Sequence, residues 1–434
     1  MSRTRFLALS VLALAAAAPA EAQTPASPPP GVADSAVETF YSTRANAPIW
    51  LKDVVTRAVA QRLPGILRHS ELDGLANGPA LAAQVEAAIA RGQLADDKLI
   101  SSAWVRYVQA LSSPVRGMSY GDPALAPKVP SAQRVLAEAA KASSLAALVE
   151  RTAAVNPLYS ALREQALKGG ASADPRVRAT LERLRIIPAQ GRAIVVDAAG
   201  AQLWMLEDGR PIDSMKVVVG KRKTPTPLLA GTIHYITYNP YWNIPDDVAR
   251  DRVAPLVLKR GVSYLKAARY VTADGFGQKA ALVDPSTIDW KGVASGTAPV
   301  YLRQLPGENN MMGSMKFGFV NDYDIFLHDT PRKQLFAKDQ RTYSMGCIRL
   351  EHADRLSRWL LGRIPELEID RPEQHVQLDQ GVPIYVTYLT ATVQDGQLAF
   401  VKDVYGLDPV PEQAQQVASA SAAASTEATD TSGN

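Results

Sequence analysis

The chain has 434 residues, a formal net charge of +4 and one cysteine. A single core rarely grows beyond about 250–300 residues, so the length calls for at least two folded units. The mild positive charge suits a protein working near anionic polymers but lacks the concentrated basic stripe of a nucleic-acid binder, and a lone thiol excludes an intramolecular disulfide.

In chain order, Arg3 and Arg5 precede an apolar run over residues 6–18, and Pro19 leads into the small-residue pattern Ala20, Glu21, Ala22. This predicts a secretory signal over residues 1–22 with cleavage after Ala22. The run is too short to span a bilayer, and no later stretch approaches the roughly 20 apolar residues a transmembrane helix needs. No cysteine stands at the cleavage site for a lipid anchor. The expectation is an exported, periplasmic protein with no transmembrane segment in its mature chain.

Residues 23–32 are rich in Pro, Ala and Ser and read as a flexible linker. Residues 33–187 carry apolar positions at three- and four-residue spacing, clearest over 78–90, 96–111 and 131–155, which predicts an all-helical domain. Pro64, Pro114, Pro123, Pro127 and Pro157 fall at its helix boundaries. From residue 188 the pattern turns to strands: 193–197 and 202–206 around a turn at Ala199 and Gly200, then 214–219 and 231–237. An antiparallel β domain over 188–408 follows from these.

Residues 239–310 break the regular spacing with Pro240, Pro245 and Pro255 and read as a lid-like insertion. Strands over 316–320 and 323–327 are expected to lead to His328. Beyond Cys347, residues 351–361 set Ala353, Leu356, Trp359 and Leu360 at helical spacing, placing the thiol a few residues before a helix N-terminus. Strands over 382–388 and 397–402 close the domain, and 409–434 form a disordered tail. The fold class is α+β, an all-helical N-terminal domain followed by a mainly-β domain with an inserted subdomain.

Cys347 is the residue to explain, because an exported thiol without a purpose is a liability in an oxidising compartment. Its bland readings are a small buried hydrophobe or half of an intermolecular disulfide. A cysteine nucleophile instead needs a base, surroundings that favour thiolate, and donors for an oxyanion. His328 follows a strand end and precedes the turn-forming Asp329, Thr330 and Pro331, which would hold the imidazole at a sheet rim. Gly346 allows its own amide and that of Cys347 to point at one oxygen. Arg349 and the helix dipole would favour thiolate.

The wording of the segment is more specific than the pairing. His328, Asp329, Thr330 and Pro331, then Phe336, Arg341, Ser344, Gly346, Cys347, Ile348 and Arg349 resemble the signature of the L,D-transpeptidase (YkuD) catalytic domain. Residues 239–245, Asp284 to Ser286 with Trp290, Gln304 with Pro306, Gly307 and Asn310, and Lys316 with Phe317 are similar to the larger YcbB-type branch of that family. So are Phe40, Tyr41, Arg44 and Trp50, and Asn156 through Arg163, so the resemblance spans residues 33–406.

The resemblance implies a mainly-β YkuD-type domain and acyl transfer on peptidoglycan stem peptides, with no cofactor and no metal. Cys347 would attack the carbonyl between meso-diaminopimelate and the terminal D-Ala. His328 would serve as base and acid, Gly346 as an oxyanion donor, and the Asp329 carbonyl would orient the imidazole. Arg341 and Arg349 would bind stem carboxylates or pair structurally with acidic residues. Tyr241 and Trp242 would line the donor groove or belong to the lid core, Phe326 would contact substrate, and Ser344 would fix the loop. A second diaminopimelate amine as acceptor gives a 3–3 cross-link, water gives a carboxypeptidase, and an amine on an outer-membrane protein gives anchoring.

Two departures stand out. Met345 occupies a position that is histidine in many relatives, and the peptidoglycan-binding module common in the branch is missing between 170 and 174. These motivate a reading from another class, a non-catalytic wall-binding scaffold with wall-synthesis or outer-membrane partners. A phosphate loop at residues 220–224 fails on spacing and on Pro225 and Pro227. Zinc fails because His69, His234, His328, His352 and His375 show no paired-ligand spacing. His234 is expected to be a packed or partner-satisfied imidazole within its strand, and His352 to sit on the surface at a helix start.

Overall fold

The computed structural model describes residues 30–277, 279–368 and 371–409. The signal segment 1–22, the linker up to residue 29 and the tail from residue 410 lie outside the described residues; helix α1 already begins at Pro30.

The N-terminal half consists of α1 (Pro30–Ser42), α2 (Val54–Ala60), α3 (Leu63–Leu67), α4 (Gly78–Arg91), α5 (Leu94–Leu111), α6 (Ala132–Lys141), α7 (Leu145–Ala154), α8 (Pro157–Lys168) and α9 (Pro175–Leu184). Their starts are chemically marked. Asp53, Ser131, Ser144, Asn156 and Asp174 each accept a main-chain N–H of the first turn, and proline opens α8 and α9. The first seven helices enclose one apolar core around Trp50, Val85, Trp104 and Leu136. Buried Asp97 accepts the amides of Ile49, Trp50 and Leu51 at 2.8, 2.8 and 2.6 Å and so fastens the loop after α1.

The strands are β1 (Ser119–Tyr120), β2 (Arg192–Asp197), β3 (Gln202–Glu207), β4 (Arg210–Gly220), β5 (Leu229–Tyr238), β6 (Trp242–Asn243), β7 (Tyr270–Ala273), β8 (Tyr301–Gln304), β9 (Met315–Phe317), β10 (Leu327–His328), β11 (Thr342–Ser344), β12 (Ile348–Leu350), β13 (Gln374–Thr387), β14 (Ala391–Gln394) and β15 (Gln397–Phe400). The main sheet runs β1-β5-β13-β2-β3-β4-β12-β10-β9, with β11 beside β4. Because β9 also pairs with β5, the sheet closes on itself, and only the short β1 and β11 have a single neighbour. The sheet is mixed rather than antiparallel: β13 with β2, β10 with β12, β1 with β5 and β11 with β4 are parallel. Strand patterning reports the face of a residue and is silent on the direction of its neighbour.

Alternation along β2 divides its residues between two cores. Ile194 and Val196 point into the closed sheet with Leu203, Met205, Val217 and Leu327, where α14 (Ala353–Leu361) adds Leu356 and Leu360. Ala193 and Val195 point outward into a second core shared with Tyr159, Leu162, Leu181 and Leu184 of α8 and α9. Burial on both faces explains why this strand reads as a continuous apolar run. It also means that the helical and β halves share a core across their junction.

Between β5 and β9 the chain builds a subdomain with an interior of its own, more ordered than the irregular spacing of 239–310 implies. The sheet β6-β8-β7 packs with α10 (Asp246–Val248), α11 (Ala254–Arg260), α12 (Ser263–Ala267) and α13 (Trp290–Ser295) around Ile244, Val257, Trp290 and Leu302. Among the described residues no helix is long and apolar enough to cross a membrane.

Three local expectations are corrected. Residues 323–327 do not form a strand until Leu327. The Asn321 side chain donates to the carbonyls of Phe319 and Ile325 and accepts the amides of Tyr323 and Ile325, bending the segment into a turn with Asp324 at φ 52°. The helix expected from residue 351 starts at Ala353, after β12. His234 is exposed on β5 rather than packed.

Candidate active site

The site grows from three short strands. His328, the last residue of β10, stands opposite Lys316 on antiparallel β9 and opposite Arg349 on parallel β12. Paired positions share a face of the sheet, so Lys316, His328 and Arg349 form a row of nitrogen side chains. Cys347 immediately precedes β12, two residues before Arg349.

The imidazole is buried, with 6% of its residue surface exposed. Its Nδ1 lies 2.6 Å from the Asp329 carbonyl, which assigns the proton to Nδ1 and leaves the Nε2 lone pair free. Burial first, then the nearby Arg349 charge, pushes the imidazole down to about 3, although the Asp329 carbonyl favours protonation. At neutral pH His328 is therefore uncharged and equipped to accept a proton.

Cys347 is half-buried against the core of the closed sheet. Its sulfur lies 3.7 Å from the Asp324 carbonyl, to which the thiol donates. Burial pushes the thiol above its ordinary value; the Phe326 amide, Lys316 and Arg349 pull it back, and Asp324 adds to the rise. The cations therefore favour thiolate, as the sequence suggests for Arg349, but desolvation outweighs them. Strand β12 stands in the chain between the thiol and the first residue of α14, Ala353.

Gly346 sits at φ 120°, and a Cβ there would approach Ile325 Cδ1 to 2.8 Å, so the loop requires glycine. Its amide, expected to serve the oxyanion, instead donates to Ser344 Oγ at 3.1 Å. Ser344 thus fixes the loop, and the Gly346 N–H is already committed. Cys347 N–H has no acceptor among the described residues.

With this geometry in view, family comparison decides the class. Residues 191–392 match the family model of the YkuD L,D-transpeptidase catalytic domain, and residues 35–165 match that of a scaffold domain. Residues 191–392 are a YkuD L,D-transpeptidase catalytic domain by this match. A Haemophilus influenzae protein named "Putative L,D-transpeptidase" is 25% identical over 388 residues, spanning 85% of this chain and 77% of that protein. Among solved structures, an L,D-transpeptidase from Mycobacterium smegmatis aligns at 13% identity and TM-score 0.23 over 45% of this chain; the match spans only 58% of that protein. One from Stackebrandtia nassauensis aligns at 14% identity and TM-score 0.21 over 54% of this chain and 76% of that one.

The remaining sequence candidates separate once placed on the transpeptidase fold. Phe326 packs edge-on to His328 at 5.9 Å, with Lys316 Nζ 4.0 Å from its ring centre. The Asp329 carboxylate does not orient the imidazole; it accepts from Ser314 and Lys333 and shapes the turn. Trp242 belongs to β6 and packs on the subdomain core, and Arg303 covers the Tyr241 ring at 5.3 Å, which favours the lid-core reading of both. Met345 is 52% exposed in the loop that leads into Cys347. Residues 169–174 join α8 directly to α9.

Arg341 is corrected as a substrate residue. Its buried guanidinium donates to the carbonyls of Gly200, Ala201, Val217, Lys338 and Asp339 at 3.0–3.2 Å, tying the loop before β11 to β4. Arg349 differs: no carboxylate pairs with it among the described residues, and its buried Nε has no partner. Arg341→Met is therefore expected to lower stability by on the order of 3 kcal/mol through orphaned carbonyls, with little change in KM. Arg349→Gln is expected to lower kcat/KM about 10- to 100-fold through a lost charge-assisted contact while melting normally. Thermal melts and steady-state kinetics of the two variants separate these outcomes, and a KM effect at Arg341 with an unchanged melt would reverse the assignment.

Lys316, one of the residues that carry the resemblance, is a site residue to which motif reading gave no role. It is distant in sequence from Cys347, and only the β9–β10–β12 register brings it into the row. Among the described residues no group of three or more His, Cys, Asp or Glu side chains is arranged to hold a metal ion.

Proposed function

We propose that the protein is an exported peptidoglycan L,D-transpeptidase that works in the periplasm through a Cys347 acyl-enzyme. The observation that carries this reading is the row Lys316, His328 and Arg349, whose two cations act on the Cys347 thiol, with the imidazole tied through Nδ1 to Asp329. A tetrapeptide stem binds with a carboxylate on Arg349. The Cys347 proton passes to His328 Nε2 as sulfur attacks the carbonyl between diaminopimelate and D-Ala. The carbonyl π pair moves to oxygen, the S–C bond forms, and the D-Ala nitrogen leaves with the imidazolium proton. An incoming diaminopimelate amine then gives its proton to His328 and attacks the thioester, which restores the thiol and yields a 3–3 cross-link.

Neutral thiol and neutral imidazole at rest imply that proton transfer accompanies attack rather than preceding it. The sign follows from burial: desolvation disfavours the charged thiolate, so the thiol deprotonates above its ordinary range. Alkylation of Cys347 by iodoacetamide is expected to rise through an inflection on the alkaline side of that range, and Lys316→Met is expected to move it higher. An inflection below neutrality would contradict the resting state proposed.

The acyl-enzyme itself is tested by intact mass after exposure to a carbapenem. A stoichiometric adduct that disappears in Cys347→Ala is expected; folded wild type that never acquires one would return the non-catalytic scaffold to favour.

A further inference from the structure

The peptide joining Gly346 to Cys347 is clamped by a residue with no place yet in the chemistry. Thr226 lies between β4 and β5 and is 1% exposed. Its Oγ1 stands 2.6 Å from Gly346 O and 2.9 Å from Gly220 N. An amide can only donate, so Gly220 N–H supplies the hydroxyl oxygen and the single hydroxyl proton goes to the Gly346 carbonyl. The same loop is anchored at two further points: Lys221 N–H donates to Ser344 O at 3.0 Å, and Tyr405 Oη donates to Gly220 O at 2.7 Å.

A peptide unit is planar, and no cis bond occurs among the described residues. The Cys347 N–H therefore points opposite to the Gly346 C=O, away from buried Thr226. Glycine at position 346 tolerates more than one orientation of this unit, and the hydroxyl selects one. The Gly346 amide is taken by Ser344, so in this loop conformation the free donor beside the sulfur is the Cys347 amide.

We infer that Thr226 is a positioning residue for acyl transfer: by fixing the Gly346–Cys347 peptide plane, it aims the Cys347 N–H at the oxygen that gains charge when sulfur attacks the carbonyl. The inference rests on the acyl-enzyme reading. Losing an oxyanion donor outright costs about 10²–10³ in rate, and misaiming one costs part of that.

The test uses two reactions of the same sulfur in the full chain. Carbapenem acylation develops an oxyanion, whereas alkylation by iodoacetamide is a displacement at a saturated carbon and develops none. Thr226→Val removes the hydroxyl at constant shape and is expected to slow acylation about 10- to 100-fold while leaving the rate and pH profile of alkylation within twofold. Thr226→Ser keeps the hydroxyl and is expected to restore acylation to within a few fold of wild type. Acylation of Thr226→Val at the wild-type rate would overturn the inference and leave the acyl-enzyme intact. Equal losses of acylation and alkylation would also overturn it, showing that Thr226 merely supports the loop. Wild type that alkylates but never acylates would overturn both readings.

Discussion

Cys347→Ala is expected to abolish turnover of stem tetrapeptides, with a fall in kcat of about 10⁴-fold or more, because the sulfur is both the bond-forming atom and the acyl carrier. Retained activity would exclude the mechanism. The loss should come without unfolding: the thiol is half-buried beside the core of the closed sheet, while the loop is held by Gly346, Ser344 and Thr226. A wild-type-like melt beside absent D-Ala release is the expected pair of results. Cys347→Ser tests the same point with less perturbation, since a neutral imidazole must then deprotonate a much weaker acid.

The second large effect concerns the joint between the halves. Asp73 is fully buried in the loop between α3 and α4, and its carboxylate receives Arg163 Nε at 2.7 Å and Nη2 at 2.8 Å together with the Tyr159 hydroxyl. Arg163 and Tyr159 stand on α8, which packs on the outer face of β2 and β13, so Asp73 couples the helical domain to the closed sheet. Asp73→Ala strands a largely buried guanidinium and is expected to cost about 3–5 kcal/mol. Calorimetry should show the whole chain melting earlier. A helical domain that melts alone, or an unchanged transition, would argue against a shared core.

The proposed nucleophile and base were legible because the family signature places them in two short segments, and the resemblance, not the turn chemistry, pointed to the Asp329 carbonyl that meets Nδ1. Helices were legible from apolar spacing and boundary prolines, and the strand β2 from its apolar run. What stayed hidden depends on partners far away in sequence. Arg341 read as a carboxylate binder because nothing local reveals Gly200 and Ala201, which take its guanidinium from about 140 positions upstream. Lys316 and Thr226 enter the site only through strand register and loop closure. Residues 323–327 read as a strand because of their aromatic and β-branched apolar residues, but the Asn321 side chain satisfies the backbone locally and wins. The parallel pairings, and with them the closure of the sheet through β9, leave no trace in residue patterning.

The central claim is that Cys347 carries an acyl group from a tetrapeptide stem to an amine. Its most direct measurement is to incubate the purified enzyme with disaccharide tetrapeptides and follow both free D-Ala and muropeptide masses. One D-Ala released for each new diaminopimelate–diaminopimelate bond is expected. Release without dimers would make water the acceptor. No release from a folded enzyme whose Cys347 alkylates normally would contradict the account.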